Sequence, residues 1–412
     1  MADTTESEDI PSSQTGRQAS PIKKRAPEGK TRLNWIDQGR GFVMFILVLT
    51  ELMPSLWRSG NWFADFFFDH PPSDAQYINI YDVGVPAFFL IIGLLLLVSF
   101  KKRQETKGTR NAVLNAIVRW GMIYALGLII ILLTYTEGFG AVKTIAPGVS
   151  AYVVSWDVIP AIGFVGLISI PFMFLPSMKS RLISAYVMMS FFQVMLFIPG
   201  TYWREYAAAS VHGGIIGGIF VMTSFVLVGS CIGEYYILDK ITPIATKNKN
   251  LALFALLNLA IGFGLWLIPG GYPNKRQSTM SWATLSIGIV ILGLLVFVKV
   301  DYKDENLAQM NPVNKTRIVI LKAYGENPFL IYAMAVIPDA ILGALVAKSI
   351  QSQLWYQVVV WVVLVGVISI IAWVLYRKRK IISTTKIAAG VLIIILILVV
   401  ILVPTGIVSI PL

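Results

Sequence analysis

From residue 34 onward the chain alternates between long apolar runs and short polar connections. Eleven runs have membrane-spanning length: residues 36–57, 80–100, 111–134, 151–175, 182–198, 214–237, 250–268, 279–299, 316–346, 354–376 and 387–411. Each is close to the roughly 20 apolar residues that cross a bilayer as an α-helix. The pattern predicts an all-α fold, a polytopic membrane helix bundle of about 11 transmembrane helices. In the long ninth run Pro328 and Pro338 predict a break or a bend. Residues 1–33 are rich in Ser, Thr and Glu, then basic through Lys23, Lys24, Arg25, Lys30 and Arg32. Such a segment buries no core and reads as a disordered cytosolic tail. The first apolar run starts too late for a signal peptide and has no small-residue cleavage site, so the first span is expected to remain as an anchor. The expected division is a tail over 1–33, a helical core over 34–346 and C-terminal transmembrane helices over 347–412. The Gly and Pro interruptions do not pair up between halves, which counts against an inverted-repeat transporter.

Composition strengthens this reading. The chain is 56% hydrophobic and 14% charged, against roughly 25% charged residues in soluble domains. The net charge of +12 would fit nucleic acid if it formed one patch, but the cations sit in short connections between apolar runs. With the N-terminus inside, the inner connections carry 18 Lys and Arg and the outer ones 6. The positive-inside rule then gives a multipass protein of the cell membrane, N-terminus cytoplasmic and C-terminus extracytoplasmic, with the lipid bilayer and no nucleic acid as partner. One cysteine, Cys231, rules out an intrachain disulfide. With two histidines besides, no metal site is predicted.

Ionisable residues inside membrane helices are costly and mark function by default. Those on the expected spans are Glu51, Asp82, Arg119 and Asp157, with Glu234 and Asp339 closer to helix ends. In the N-in topology Glu51, Asp82 and Asp157 fall toward the outer side together with His70, from the loop FFFDHPPSDAQ, and the four are expected to form one pocket. An imidazole takes a proton from an amine or hydroxyl, or itself carries an acyl group. A carboxylate beside it fixes its tautomer, and Pro71–Pro72 provides a turn that brings His70 to Asp82. The plainer readings are an ordinary loop histidine at His70, a helix-dipole acid at Asp82, an interfacial acid at Asp157 and a snorkelling or ion-paired Arg119. His212, in SVHGGIIGG, reads as a loop residue.

Five stretches, in order, carry a resemblance. RLNWIDQGRGFVMFILVLTE places an Asp three residues before Arg-Gly at the start of the first helix. FFFDHPPSDAQYINIYDVGVPAFFLIIG joins a histidine loop to an Asp-x-x-x-Pro-x-Phe helix. WDVIPAIGFVGLISIPFM, GGYPNKRQSTMSWATLSIGIVILGLL and LKAYGENPFLIYAM follow. Together they resemble the heparan-α-glucosaminide N-acetyltransferase-like family of multipass membrane acyltransferases, over about residues 32–346. The resemblance implies transfer of an acetyl group from cytosolic acetyl-CoA, the donor substrate, to a sugar amine or other glycan acceptor across the membrane, with a homodimer plausible. It places the catalytic histidine on His70 and its helix-opening acid on Asp82. Asp37, Arg40 and Asn327 fall on further family positions. At the inner end of the first span Asp37 and Arg40 are expected either to organise entry of the donor or to form a structural ion pair. Arg119 is grouped with these as a donor-binding cation, and Glu51 with the catalytic pair. Glu51 stands where the family commonly has asparagine, and Pro160–Ala161 where many members carry Gln-Arg. The competing classes are a secondary transporter or flippase using the intramembrane carboxylates, and a catalytically inactive homologue.

Overall fold

The computed structural model describes residues 34–52, 76–79, 81–134, 138–304, 309–310, 318–346, 348–383, 385–387, 389–391 and 393. His70 lies outside them, as do the tail over 1–33 and most of the expected eleventh span. Twelve helices position the site: α1 (Asn34–Glu51), α2 (Gly84–Lys107), α3 (Thr109–Thr134), α4 (Val158–Ser169), α5 (Met178–Phe197), α6 (Trp203–Ala208), α7 (Gly214–Leu238), α8 (Ile244–Trp266), α9 (Met280–Asp301), α10 (Val319–Glu326), α11 (Pro328–Leu345) and α12 (Leu354–Arg377). Among the described residues, seven helices are long and apolar enough to cross a membrane: α2, α3, α5, α7, α8, α9 and α12. The protein is a polytopic helical membrane protein, as the hydropathy pattern predicts.

Two expected spans differ in form. The run 151–175 is not one helix. Its first residues belong to an antiparallel hairpin, β1 (Gly140–Ala146) with β2 (Val149–Val154). Pro147–Gly148 closes that hairpin, with Gly148 at φ +75°, the backbone region in which glycine carries no Cβ penalty. The helical part starts only at Val158, where the Asp157 side chain accepts the Val158 N–H at 2.6 Å and caps α4. The run 316–346 divides at Asn327, where α10 stops and Pro328 opens α11; proline has no N–H to continue the first helix but suits the first turn of the second. Pro338, by contrast, lies within α11.

Close helix contacts depend on glycine. A Cβ on Gly93 of α2 would overlap the Val226 carbonyl of α7, and one on Gly229 or Gly233 would overlap the Leu90 or Leu94 carbonyl. In lipid no hydrophobic force drives helices together, so backbone approach at small residues supplies the attraction. Gly41 of α1 and Gly325 of α10 make the same reciprocal approach, to the Leu321 and Asp37 carbonyls. Helices α2 and α7 form the centre, with Trp282 of α9 fully buried against Phe225, ring centroids 5.6 Å apart. α8 and α12 are largely uncovered by protein, which suits lipid-facing helices.

Candidate active site

A cavity of about 570 Å³ lies between α1, α2 and α9. One end starts at Gly39 and Phe42 of α1 and Phe297 of α9; the other reaches Thr50, Asp157, His212 and Lys275. Between them the wall is aliphatic: Val43, Ile46 and Leu47 on α1, Val85, Ala87 and Ile91 on α2, and Ile289, Val290 and Leu294 on α9. Thr50 turns its hydroxyl back to the Ile46 carbonyl at 2.9 Å; among the described wall residues the other polar side chains are Asp157, His212, Lys275 and Tyr332. A mostly apolar cleft of this volume with a few convergent polar groups is the usual form of a small-molecule site.

The polar end is assembled from four connections. Asp82 sits in the 3-10 turn Tyr81–Val83 ahead of α2 and is 1% exposed. It does not cap that helix: the capping position is Val83, without a side-chain bond. Instead Asp82 Oδ1 lies 3.4 Å from Lys275 Nζ, itself 8% exposed. The Asp82 backbone N–H donates to Asn79 Oδ1 at 2.9 Å, which fixes the turn. In this turn outside the membrane helix, burial pushes the carboxyl above its usual range while the Lys275 ammonium pulls it down; burial prevails. A buried charge is tolerated when paired, and this pair places a held ammonium on the cavity wall.

Lys275 belongs to NKRQST, a run of six polar residues that, except for the exposed Arg276, forms a buried knot rather than a solvated loop. Asn274 Oδ1 accepts the Gln277 N–H at 2.8 Å, Thr279 Oγ1 accepts the Asn274 N–H at 2.9 Å, and Thr279 Oγ1 donates to the Tyr272 carbonyl at 3.1 Å. Ser278 and Thr279 are fully buried. The knot ties to the next connection, where the Gly213 N–H donates to the Arg276 carbonyl at 2.6 Å. That places His212 beside it, in a turn as expected, but 3% exposed and on the cavity wall rather than solvated.

The predicted residues therefore separate. Asp157 lines the cavity and Asp82 reaches it through Lys275. Glu51 is the last residue of α1, one place beyond the cavity-lining Thr50, and its side chain, like that of Asp339, lies outside the described residues. At the opposite end Asp37 and Arg40 pair at 2.9 Å on successive turns of α1, and Arg40 also donates to the Gly325 carbonyl. Arg119 stacks over Trp120, 4.8 Å from ring centroid to guanidinium, and lies within electrostatic reach of Arg40 and Arg103. Asn327 spans the α10–α11 break: its amide donates to the Lys380 carbonyl at 3.1 Å and accepts the Ile382 N–H at 2.8 Å. Its described contacts join two backbone segments and do not face the cavity. Pro160 and Ala161 are buried, Pro160 against Gly127 of α3, away from the cavity wall. Glu234 is shared by Lys101, at 2.6 Å, and Arg181.

Lys275 and His212 are the wall residues that the sequence reading did not choose. The signal for Lys275 was the density of hydrogen-bonding side chains in NKRQST next to an apolar run; for His212 it was the adjacent Gly213–Gly214. A family model described as an acyltransferase domain matches residues 33–377. No curated protein matches the chain.

Proposed function

The chain belongs to this acyltransferase family, and on that footing we propose that it moves an acetyl group from acetyl-CoA to an amino sugar or glycan acceptor on the opposite side of the membrane. The coarser statement, a helical membrane acyltransferase, follows from the family match and the seven apolar helices. The observation that carries the finer one is the cavity, which leads from Gly39, beside Arg40, to the polar end at Asp157, His212 and Lys275.

An acyl transfer across a bilayer needs an anion-attracting face for the donor, a dry passage and polar groups where the acceptor's nucleophile meets the acyl carbon. Arg40 and Arg103 each lie within electrostatic reach of Arg119; like charges placed in this way attract the phosphates of a nucleotide donor. The aliphatic wall keeps water from the thioester. At the polar end the Lys275 ammonium, held by Asp82, sits where negative charge on the acyl oxygen is best stabilised. In this reading the cytoplasmic face is the Arg40 end, in accord with the positive-inside count. The resemblance to the heparan-α-glucosaminide N-acetyltransferase-like family supports an acetyl donor and a sugar amine acceptor, with His70 as an imidazole that takes the proton or carries the acyl group.

The test is transfer from radiolabelled acetyl-CoA by detergent-solubilised protein, with and without glucosamine. Label on glucosamine, or on the protein itself, supports the proposal. Loss of that label in His70→Ala assigns the imidazole role to His70, whereas retention moves it elsewhere on the cavity. Absence of turnover together with no rise in melting temperature on adding acetyl-CoA overturns the proposal, because a ligand that binds only the native state must stabilise it.

A further inference from the structure

Among the described residues, His212 is the histidine on the cavity wall. Its backbone is left-handed at φ +54°, followed by Gly213 at +72° and Gly214 at +63°. A non-glycine residue takes this conformation uncommonly, and residues held in it cluster at functional sites. Here the surroundings are specific. A Cβ on Gly213 would come within 3.2 Å of the Ser278 hydroxyl, and one on Gly217 would overlap the His212 carbonyl. The Gly213 N–H is bound to the Arg276 carbonyl. The glycine turn thus clamps His212 against the knot that holds Lys275, and both side chains face the same end of the cavity.

Among the described residues, the other titratable groups at this end suit the role of proton acceptor less well. Asp157, on α4, already caps its helix through the Val158 N–H. Lys275 is an ammonium paired with Asp82, so it has no lone pair to offer. Asp82 lies behind Lys275 and is not on the wall. An imidazole is neutral and basic near physiological pH. We propose that His212 accepts the proton of the acceptor's hydroxyl or amine during transfer, a role that rests on the acyltransferase reading of this cavity but not on His70. The nucleophile's lone pair forms the bond to the acyl carbon as its proton passes to the His212 ring nitrogen. The carbon–sulfur bond of the donor thioester breaks with its electron pair on sulfur, and His212 returns the proton to that sulfur to give the free thiol and a neutral imidazole. The substrate class is an acceptor with an N–H or O–H nucleophile, and His70 is left with acyl carriage or no chemical role.

The experiment compares wild type with His212→Asn and His212→Ala for acetyl transfer to glucosamine across pH. Melting temperature and its rise with acetyl-CoA are measured on the same samples. Asparagine tolerates the left-handed backbone, so this variant keeps the turn. The expected result is a fall of roughly 10²–10⁴-fold in transfer, loss of the neutral-range ionisation from the rate profile, an unchanged donor-induced rise in melting temperature, and partial rescue of His212→Ala by added imidazole. A histidine held only for packing would give neither the altered profile nor the rescue. Wild-type rate and profile in His212→Asn would overturn the assignment while leaving the acyltransferase reading intact. Inactivity of the wild type would defeat that reading itself.

Discussion

Two clusters of opposite charges, one half-buried around Glu234 and one fully buried at Asp82 and Lys275, show how similar residues serve different ends. Glu234 of α7 is saturated by Lys101 from α2 and by Arg181 from α5, whose side chain is 1% exposed. Arg181 also donates to the Leu175 carbonyl at 3.2 Å. These bonds tie α5 to α7 and to the connection ahead of α5, and none of the three side chains lines the cavity between α1, α2 and α9. Asp82 and Lys275 form a looser pair at 3.4 Å, and its Lys275 side faces about 570 Å³ of space. A closed charge cluster fixes three helices relative to one another. One that borders a cavity keeps a charged atom ready for a molecule that has yet to arrive.

Removing the carboxylate from the closed cluster is the harshest way to probe this contrast. Glu234→Ala leaves Arg181 buried without its counter-charge, and the expected loss is about 3–5 kcal/mol of stability, read as a large drop in melting temperature in detergent. Survival of the variant at wild-type stability would show that the cluster is not a clamp. At the cavity the expected balance reverses. Lys275→Met should slow acyl transfer by roughly 10²–10³-fold, the effect of losing one preorganised charge at a developing oxyanion, with a smaller change in melting temperature. Burial already favours the neutral form of the Asp82 carboxyl, which takes up a proton when the ammonium is gone. If Lys275→Met instead unfolds the protein as Glu234→Ala does, the two clusters are alike and the comparison fails.

The passage between the ends can be tested with little cost to the fold. A Cβ on Gly293 of α9 meets nothing within 4 Å, and Gly293 lines the cavity. Gly293→Phe should therefore fill the passage without strain and slow transfer about tenfold, close to 1.4 kcal/mol in barrier, while melting temperature holds. Equal rates in the variant would mean that the acyl group travels elsewhere. The smallest effect concerns pH. Because burial raises Asp82 above the ordinary carboxylate value of 3.8, the folded protein binds a proton between those two values that the unfolded chain does not. Lowering pH through that window therefore adds stability through Asp82. Asp82→Asn should remove this gain, so its melting temperature relative to wild type should fall as pH is lowered. A pH-independent difference would show that Lys275 cancels the burial term.

The sequence reading reached the bundle because membrane helices announce themselves: an apolar run has to satisfy its backbone internally, and helix is the way to do so within one segment. It found the α10–α11 break for an equally local reason, the missing N–H of Pro328. It misread residues 151–154 because a strand rich in Val and Tyr that leads into an apolar helix is indistinguishable by hydropathy from the start of that helix; the Pro147–Gly148 turn was the available cue. Among site residues, Asp157 and Asp82 were chosen as ionisable groups at helix mouths, which any single sequence shows. Asn327 was carried by resemblance, and its contacts are with the backbone at Lys380 and Ile382, more than 50 residues away.

What the chain determined by itself was its solvent. Apolar runs of bilayer length, few charges and cations gathered in short connections make a membrane bundle by local physics alone. Only the tertiary structure decided which polar residues share a space. Lys275 and Asp82 are nearly 200 residues apart, and His212 meets the Lys275 knot through a glycine turn whose conformation is set by what packs against it. Pairing of buried charges is a property of the assembled bundle, because the energy that favours it exists only once both partners have left water.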